Sequence, residues 1–269
     1  MDPALAPVAA GGVVLLGCGK MGGAMLQGWL AAGVPPGAVH VVEPAPAPDL
    51  AGLGVRFGVP AAAAAVVLAV KPQMMAAALP AVAPLAGRGA LFLSIAAGTP
   101  IAFFERALGA ATPVVRAMPN TPAAVGRGIT ALVANAAGAG ALPLAEALAS
   151  AVGETVRLED ESQMDAVTAL SGSGPAYVFL LIEALAAAGA AEGLDPALAM
   201  RLARATVAGA GELARRSMEP PDVLRRNVTS PGGTTAAALG VLMDDAAGLA
   251  PLMRRAVAAA ARRSRELAG

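Results

Sequence analysis

Cysteine and histidine are almost missing from this 269-residue chain, which has one of each. A single thiol, Cys18, allows no internal disulfide and no zinc site built on several thiolates. A single imidazole, His40, excludes multi-histidine metal centres, so no metal is expected. It falls at the entry of an expected strand, which favours a structural role. Lysine occurs twice, as Lys20 and Lys71, and both lie inside motifs described below. Charged residues make up 14% of the chain, nineteen basic balancing nineteen acidic. That balance lacks the basic surface of a nucleic-acid protein and the high net charge of a disordered one. Long apolar runs are also missing, although a membrane-spanning helix needs about 20 such residues. The longest stretch without a formal charge, residues 21–42, holds Gln27, Pro35, Pro36, His40 and five glycines. The purest apolar run, residues 59–70, lies between Arg56 and Lys71 and carries Pro60. The chain starts Met-Asp-Pro without a basic segment. A cytoplasmic protein with neither nucleic acid nor membrane as partner is expected.

What is abundant is alanine-rich apolar sequence, 57% hydrophobic in all, which points to a globular chain with ample core. Short β-like runs at 13–16, 39–43, 66–70, 90–95, 114–117 and 129–133 alternate with helical stretches such as 21–32, 73–79 and 101–108. Continuous apolar strands in that alternation predict a parallel sheet covered on both faces. Beyond about residue 160 the strands stop, and helices are expected at 176–190, 196–216, 234–242 and 248–267. The fold class is therefore α/β: a Rossmann-type doubly wound sheet over residues 1–160, then an all-helical dimerisation domain over 161–269. The last seventy residues carry eleven arginines and six acids, a balance suited to solvated helix faces. Other helix faces are apolar nearly all round, so a homodimer is expected to cover them.

The segment Val13-Val14-Leu15-Leu16-Gly17-Cys18-Gly19-Lys20-Met21-Gly22 is a Gly-x-Gly-x-x-Gly match between a strand and a helix. Gly17, Gly19 and Gly22 would permit a tight turn, close approach to a pyrophosphate, and helix–strand packing, with Lys20 and Met21 opening the helix. Glu43, 24 residues after Gly19, ends the second strand where an acidic side chain meets the adenosine ribose. A carboxylate accepts the ribose hydroxyls and repels a 2′-phosphate, so Glu43 favours NADH over NADPH. Three more segments end strands at the ligand-binding edge: Ala69-Val70-Lys71-Pro72-Gln73, Ser94-Ile95-Ala96-Ala97-Gly98 and Arg116-Ala117-Met118-Pro119-Asn120-Thr121-Pro122. Small residues around Ala97 would let a nicotinamide ring lie on backbone, and Met118 would form an apolar wall.

In the helical half, Ser171-Gly172-Ser173-Gly174-Pro175-Ala176-Tyr177 reads as a small-residue break between helices. Asn227-Val228-Thr229-Ser230-Pro231-Gly232-Gly233-Thr234-Thr235 runs into a helix and offers backbone N–H groups for a carboxylate or phosphate; the plain alternative is a helix capped by Thr234 or Ser230. Taken together, in order, with Asp165-Ala166-Val167-Thr168, these motifs resemble those of pyrroline-5-carboxylate reductases over nearly the full length. The last two are the most specific.

The resemblance implies a Rossmann domain and a helical domain that interlocks with a second subunit, the site lying at that interface, and rings of dimers also occur in the family. It implies hydride transfer from NAD(P)H to a cyclic imine carbon, giving L-proline as the last step of its biosynthesis. A small carboxylate substrate would sit on the N–H groups of Gly233, Thr234 and Thr235, with the Thr235 hydroxyl on the ring nitrogen and Glu161 nearby. Val70, Lys71, Pro72, Ala97, Met118 and Asn227 would fall near the cofactor. Two departures stand out: Glu43-Pro44 where the family commonly has small polar or basic residues, and an alanine run at 61–65 where an acidic residue is usual. A β-hydroxyacid dehydrogenase would need a lysine in the helical half, and none follows Lys71. A regulatory protein without turnover would have no use for the Ser230–Thr235 nest.

Overall fold

The structure, a computed structural model, describes residues 2–268. Eight strands among these residues form one sheet: β1 (Val13–Leu16), β2 (Val39–Val42), β3 (Arg56–Phe57), β4 (Ala65–Leu68), β5 (Leu91–Ser94), β6 (Val114–Met118), β7 (Gly128–Ala134) and β8 (Gly153–Arg157). Their order is β3-β2-β1-β4-β5-β6-β7-β8. Every neighbouring pair is parallel except β6–β7. That antiparallel pairing departs from the all-parallel expectation. The link between the two strands is short, residues 119–127, and a parallel return would need a crossover of a dozen residues or more.

Strands β1, β4 and β5 are four residues each and wholly buried. Alternation sends Val13 and Leu15 to one face, with Met25 and Trp29, and Val14 and Leu16 to the other, with Phe92 and Phe104. Cover on both faces is why these strands read as unbroken apolar runs. The helices of this half are α1 (Ala6–Gly11), α2 (Lys20–Ala31), α3 (Pro72–Ala78), α4 (Ile101–Leu108), α5 (Leu142–Ser150) and α6 (Met164–Val167). The alanines at 61–65 lead directly into β4, with Ala63 and Ala65 buried.

Helices α7 (Gly174–Ala191), α8 (Pro196–Arg216), α9 (Pro221–Asn227), α10 (Thr234–Leu242) and α11 (Leu249–Ala268) follow. The chain divides into two compact units, one running to Gly172 and resumed from Ala261 onward, the other Ser173–Ala260. The first unit extends past the expected boundary at residue 160 for three reasons. Met164 is buried in the core of one sheet face. The Asn120 amide donates to the Ser171 carbonyl at 3.1 Å, and the Ser264 hydroxyl donates to Asp165 at 2.6 Å. The expected break near Ser171 is instead a π-helical stretch, Thr168–Gly172, between α6 and α7.

Within the second unit, α7 and α8 pack together where Gly189 meets Ala199 and Leu194. Asp195 caps α8 by accepting from Ala197 and Leu198 N–H at 3.0 Å each. The only residue of α7 buried in the single chain is Ala186, while Phe179 and Leu180 are 57% and 63% exposed. The helical segment Glu161–Ala191 is long and apolar enough to cross a membrane. A search for uncharged runs passes over it because Glu161, Asp165 and Glu183 interrupt it.

Trp29, the single tryptophan, is buried and donates its indole N–H to the Leu148 carbonyl at 2.8 Å, joining α2 to α5. Trp29→Phe leaves that buried carbonyl without its donor and is expected to lower stability by about 1–3 kcal/mol, read by urea unfolding followed with circular dichroism.

Candidate active site

The loop after β1 shows what each glycine is for. Gly17 has φ of 89°, and a Cβ there would lie 2.8 Å from Val70 Cγ1 and 2.9 Å from Val70 N. A Cβ on Gly22 would stand 2.5 Å from the Gly17 carbonyl oxygen, so α2 lies against the turn backbone to backbone. A Cβ on Gly19 would meet no heavy atom within 4 Å. The space beside Gly19 is thus open, and α2 begins beside it at Lys20 with no side-chain cap. The first helical bond runs from Gly23 N–H to Gly19 O at 2.7 Å, which leaves the N–H groups of Lys20, Met21 and Gly22 outside the ladder. Lys20 is exposed, whereas Met21 packs on the core.

Above this loop is a cavity of about 560 Å³ whose lining includes Gly17, Gly19, Glu43, Val70, Lys71 and Met74. These residues follow β1, β2 and β4, at the carboxyl edge and at the point where the strand order reverses. Lys71 is the N-cap of α3, and Pro72 is its first residue, where a missing N–H costs nothing. Glu43 accepts from Cys18 N–H at 2.9 Å and from Ala45 N–H at 3.3 Å. Its carboxylate is therefore fixed onto the glycine loop. His40 lies within β2 and does not line this cavity; burial first, and the Arg56 charge second, push its imidazole below its ordinary value.

Ala97 is exposed in the turn between β5 and α4, and Met118 ends β6 with its Sδ–Cε end against Gly172, where a Cβ would sit 2.5 Å from Cε. Glu161 has two partners on one oxygen: Ile101 N–H at 2.9 Å and Arg116 Nη1 at 2.7 Å. The Arg116 side chain is 7% exposed. Arg116 and Asn120 stand in one of the expected strand-end segments, and both bond within the fold there, Asn120 also accepting from Ile129 N–H at 2.9 Å. One signal was available, since an arginine inside the buried strand Val-Val-Arg-Ala-Met must meet a hydrogen-bond acceptor.

In the second unit, Asn227 ends α9 and donates to Glu219 at 3.1 Å. Gly232 has φ of 70°, and Gly233 is the N-cap of α10 with no side-chain hydrogen bond, so neither Ser230 nor Thr234 caps the helix. One expectation needs correction here. The Gly233 N–H donates to the Ser230 carbonyl at 3.1 Å and is already engaged within the turn. The donors left at the helix start are Thr234, Thr235 and Ala236, because the first helical bond is from Ala237 to Gly233.

A model described as pyrroline-5-carboxylate reductase dimerisation matches residues 161–267, and one described as NADP oxidoreductase, coenzyme F420-dependent, matches residues 12–98. A pyrroline-5-carboxylate reductase of Pseudomonas aeruginosa is 43% identical over 266 residues, covering 95% of this chain and 96% of its own. The chain belongs to the pyrroline-5-carboxylate reductase family. A relative from Methanosarcina acetivorans is 40% identical over 94% of this chain and 96% of its own. The solved reductase from Coxiella burnetii superposes with a TM-score of 0.89 at 34% identity, over 96% of this chain and 99% of that one. The Plasmodium falciparum enzyme, solved with NADP bound, gives 0.81 at 28% identity over 96% and 98%. As a member of this reductase family, the protein is an NAD(P)H-dependent oxidoreductase.

The glycine geometry separates folding from binding. Gly17→Ala is expected to cost at least about 1–2 kcal/mol from the left-handed backbone alone. Gly19→Ala should stay within about 0.5 kcal/mol of the wild type. Urea unfolding of both variants checks the contrast.

Proposed function

We propose that the protein reduces 1-pyrroline-5-carboxylate to L-proline as a homodimer, with NADH the better cofactor. The observation that carries the proposal is that one chain holds both an open cradle at Gly19 and an uncapped helix start at Thr234. The first suits a pyrophosphate and the second a carboxylate. The nucleotide supplies a hydride. Gly17, Gly19 and the N–H groups of Lys20, Met21 and Gly22 hold its phosphates. Val70, Lys71, Pro72, Ala97, Met118 and Asn227 complete the cofactor side.

Thr234 and Thr235 N–H groups receive the substrate carboxylate, and the Thr235 hydroxyl meets the ring nitrogen. A protonated imine is already electrophilic. The hydride adds to its carbon, the C=N π pair moves to nitrogen, and the secondary amine of proline results without a strong general acid. That accounts for a site with no catalytic histidine. The protein's work is orientation, worth up to roughly 7–11 kcal/mol.

Glu43 supports the choice of NADH. Its carboxylate is held at the cavity wall by Cys18 N–H, where it would face a 2′-phosphate with like charge. The exposed apolar side of α7, with Phe179 and Leu180, supports self-association, because a second copy would remove it from water. A cytoplasmic location accords with this reading.

Steady-state oxidation of NADH and NADPH, with and without the imine, tests the proposal. Imine-dependent oxidation is expected, with the higher kcat/KM for NADH. Glu43→Ala should shift the cofactor ratio toward NADPH by about tenfold, equivalent to about 1.4 kcal/mol. Thr235→Ala should lower kcat/KM about tenfold to a hundredfold, the loss of one or two polar contacts. An unchanged value removes Thr235 from the mechanism, and sedimentation of the free protein as a monomer removes the dimer.

A further inference from the structure

Three segments distant in sequence meet on one carboxylate oxygen. Glu161 Oε1 accepts from Ile101 N–H, at the start of α4, and from the Arg116 guanidinium in β6. The turn that presents Glu161 is itself held: Asp160 accepts from Ser162 N–H at 2.7 Å, and Gln163 accepts from Glu159 and Asp160 N–H at 3.1 and 3.3 Å. Ile101 stands four residues after Ala97, and Arg116 two before Met118. On its other side the same β5–α4 turn rests on the chain's return, since Gly98 lies against Leu267, whose carbonyl oxygen is 3.5 Å from the position of a Cβ.

We propose that Glu161 is a positioning residue for hydride transfer, fastening the turn that carries Ala97 to the strand that carries Met118. This rests on the assignment of Ala97 and Met118 to the nicotinamide side of the cofactor. What matters in this role is reach. The buried guanidinium and the helix amide both bond Oε1, and the glutamate side chain reaches that point from a turn held by its own hydrogen bonds. Glutamine keeps the length and an acceptor oxygen while losing the charge. Aspartate keeps the charge and is one methylene too short to meet both partners. A carboxylate that acted on the substrate through its charge would give the opposite order.

The test compares Glu161→Gln with Glu161→Asp. Glu161→Asp is expected to lower kcat about tenfold to a hundredfold and Glu161→Gln no more than about threefold, because small misplacement is costly in transfer chemistry. The dissociation constant for NADH should stay within about threefold in both, since pyrophosphate contacts lie elsewhere. A readout free of cofactor and substrate accompanies this: amide hydrogen exchange at Ile101 should accelerate in Glu161→Asp and remain slow in Glu161→Gln. Should Glu161→Asp not fold, the pair Glu161→Leu with Arg116→Leu removes both charges together and should show the same kcat loss and fast Ile101 exchange. Retained kcat in Glu161→Asp with a tenfold loss in Glu161→Gln overturns the proposal alone, as does slow Ile101 exchange in both. Wild-type protein that oxidises neither nucleotide in the presence of the imine overturns the reduction reading and the proposal with it.

Discussion

The closeness of α2 to the end of β1 governs the whole carboxyl edge of the sheet. Gly22 sits where a Cβ would be 2.5 Å from the Gly17 carbonyl, and the left-handed backbone at Gly17 turns the chain within van der Waals reach of Val70. With those two approaches in place, the helix start opens directly beside Gly19, and the ends of β2 and β4 bring Glu43 and Lys71 to the same cavity. A methyl group on Gly22 would push α2 away from the turn, and one on Gly17 would collide with the backbone at Val70. The site is therefore a product of backbone packing more than of side-chain chemistry. That suits a reaction whose electrophile arrives already activated.

Much of this architecture was legible because the informative residues are local. The strands covered on both faces declare themselves as apolar runs, and α4, α8 and α10 begin and end where the helical periodicity puts them. The two strands missed are those that lack the signal. β3 has two residues, both exposed, and β8 reads Gly-Glu-Thr-Val-Arg, an edge strand with polar side chains turned to solvent. The antiparallel entry of β7 leaves its trace in the short link at 119–127 and none in the composition of the strand itself. At the site, the glycine loop and Glu43 were readable from spacing. The Arg116–Glu161 contact was not, because its partners are 45 residues apart. Nor could sequence show that the Gly233 N–H is taken up by its own turn.

Scarcity of charge gives the few buried charges more influence. Most of the ion pairs, such as Arg226–Asp222 and Arg263–Glu266, lie on exposed helix faces where solvent weakens them. Arg216 and Arg215 together draw the exposed Glu212 carboxyl down to about 2, a local effect of two neighbouring guanidinium groups. Arg116 differs in being enclosed. An enclosed guanidinium depends on the reach of the acceptor that meets it, here Glu161 Oε1 at 2.7 Å, more than an exposed pair does.

The return of the chain from Ala261 to the first unit has a consequence for how the protein is made. Ser264 bonds Asp165 and Leu267 abuts Gly98 only after the entire second unit, Ser173–Ala260, has been synthesised. The nucleotide-binding unit cannot reach its final packing as it leaves the ribosome. Its closure waits on contacts 99 residues apart at Asp165 and farther still at Gly98, and long-range contacts of that kind slow folding. Until then the turn around Gly98 lacks its contact with Leu267, and the nascent first unit is left open on that side.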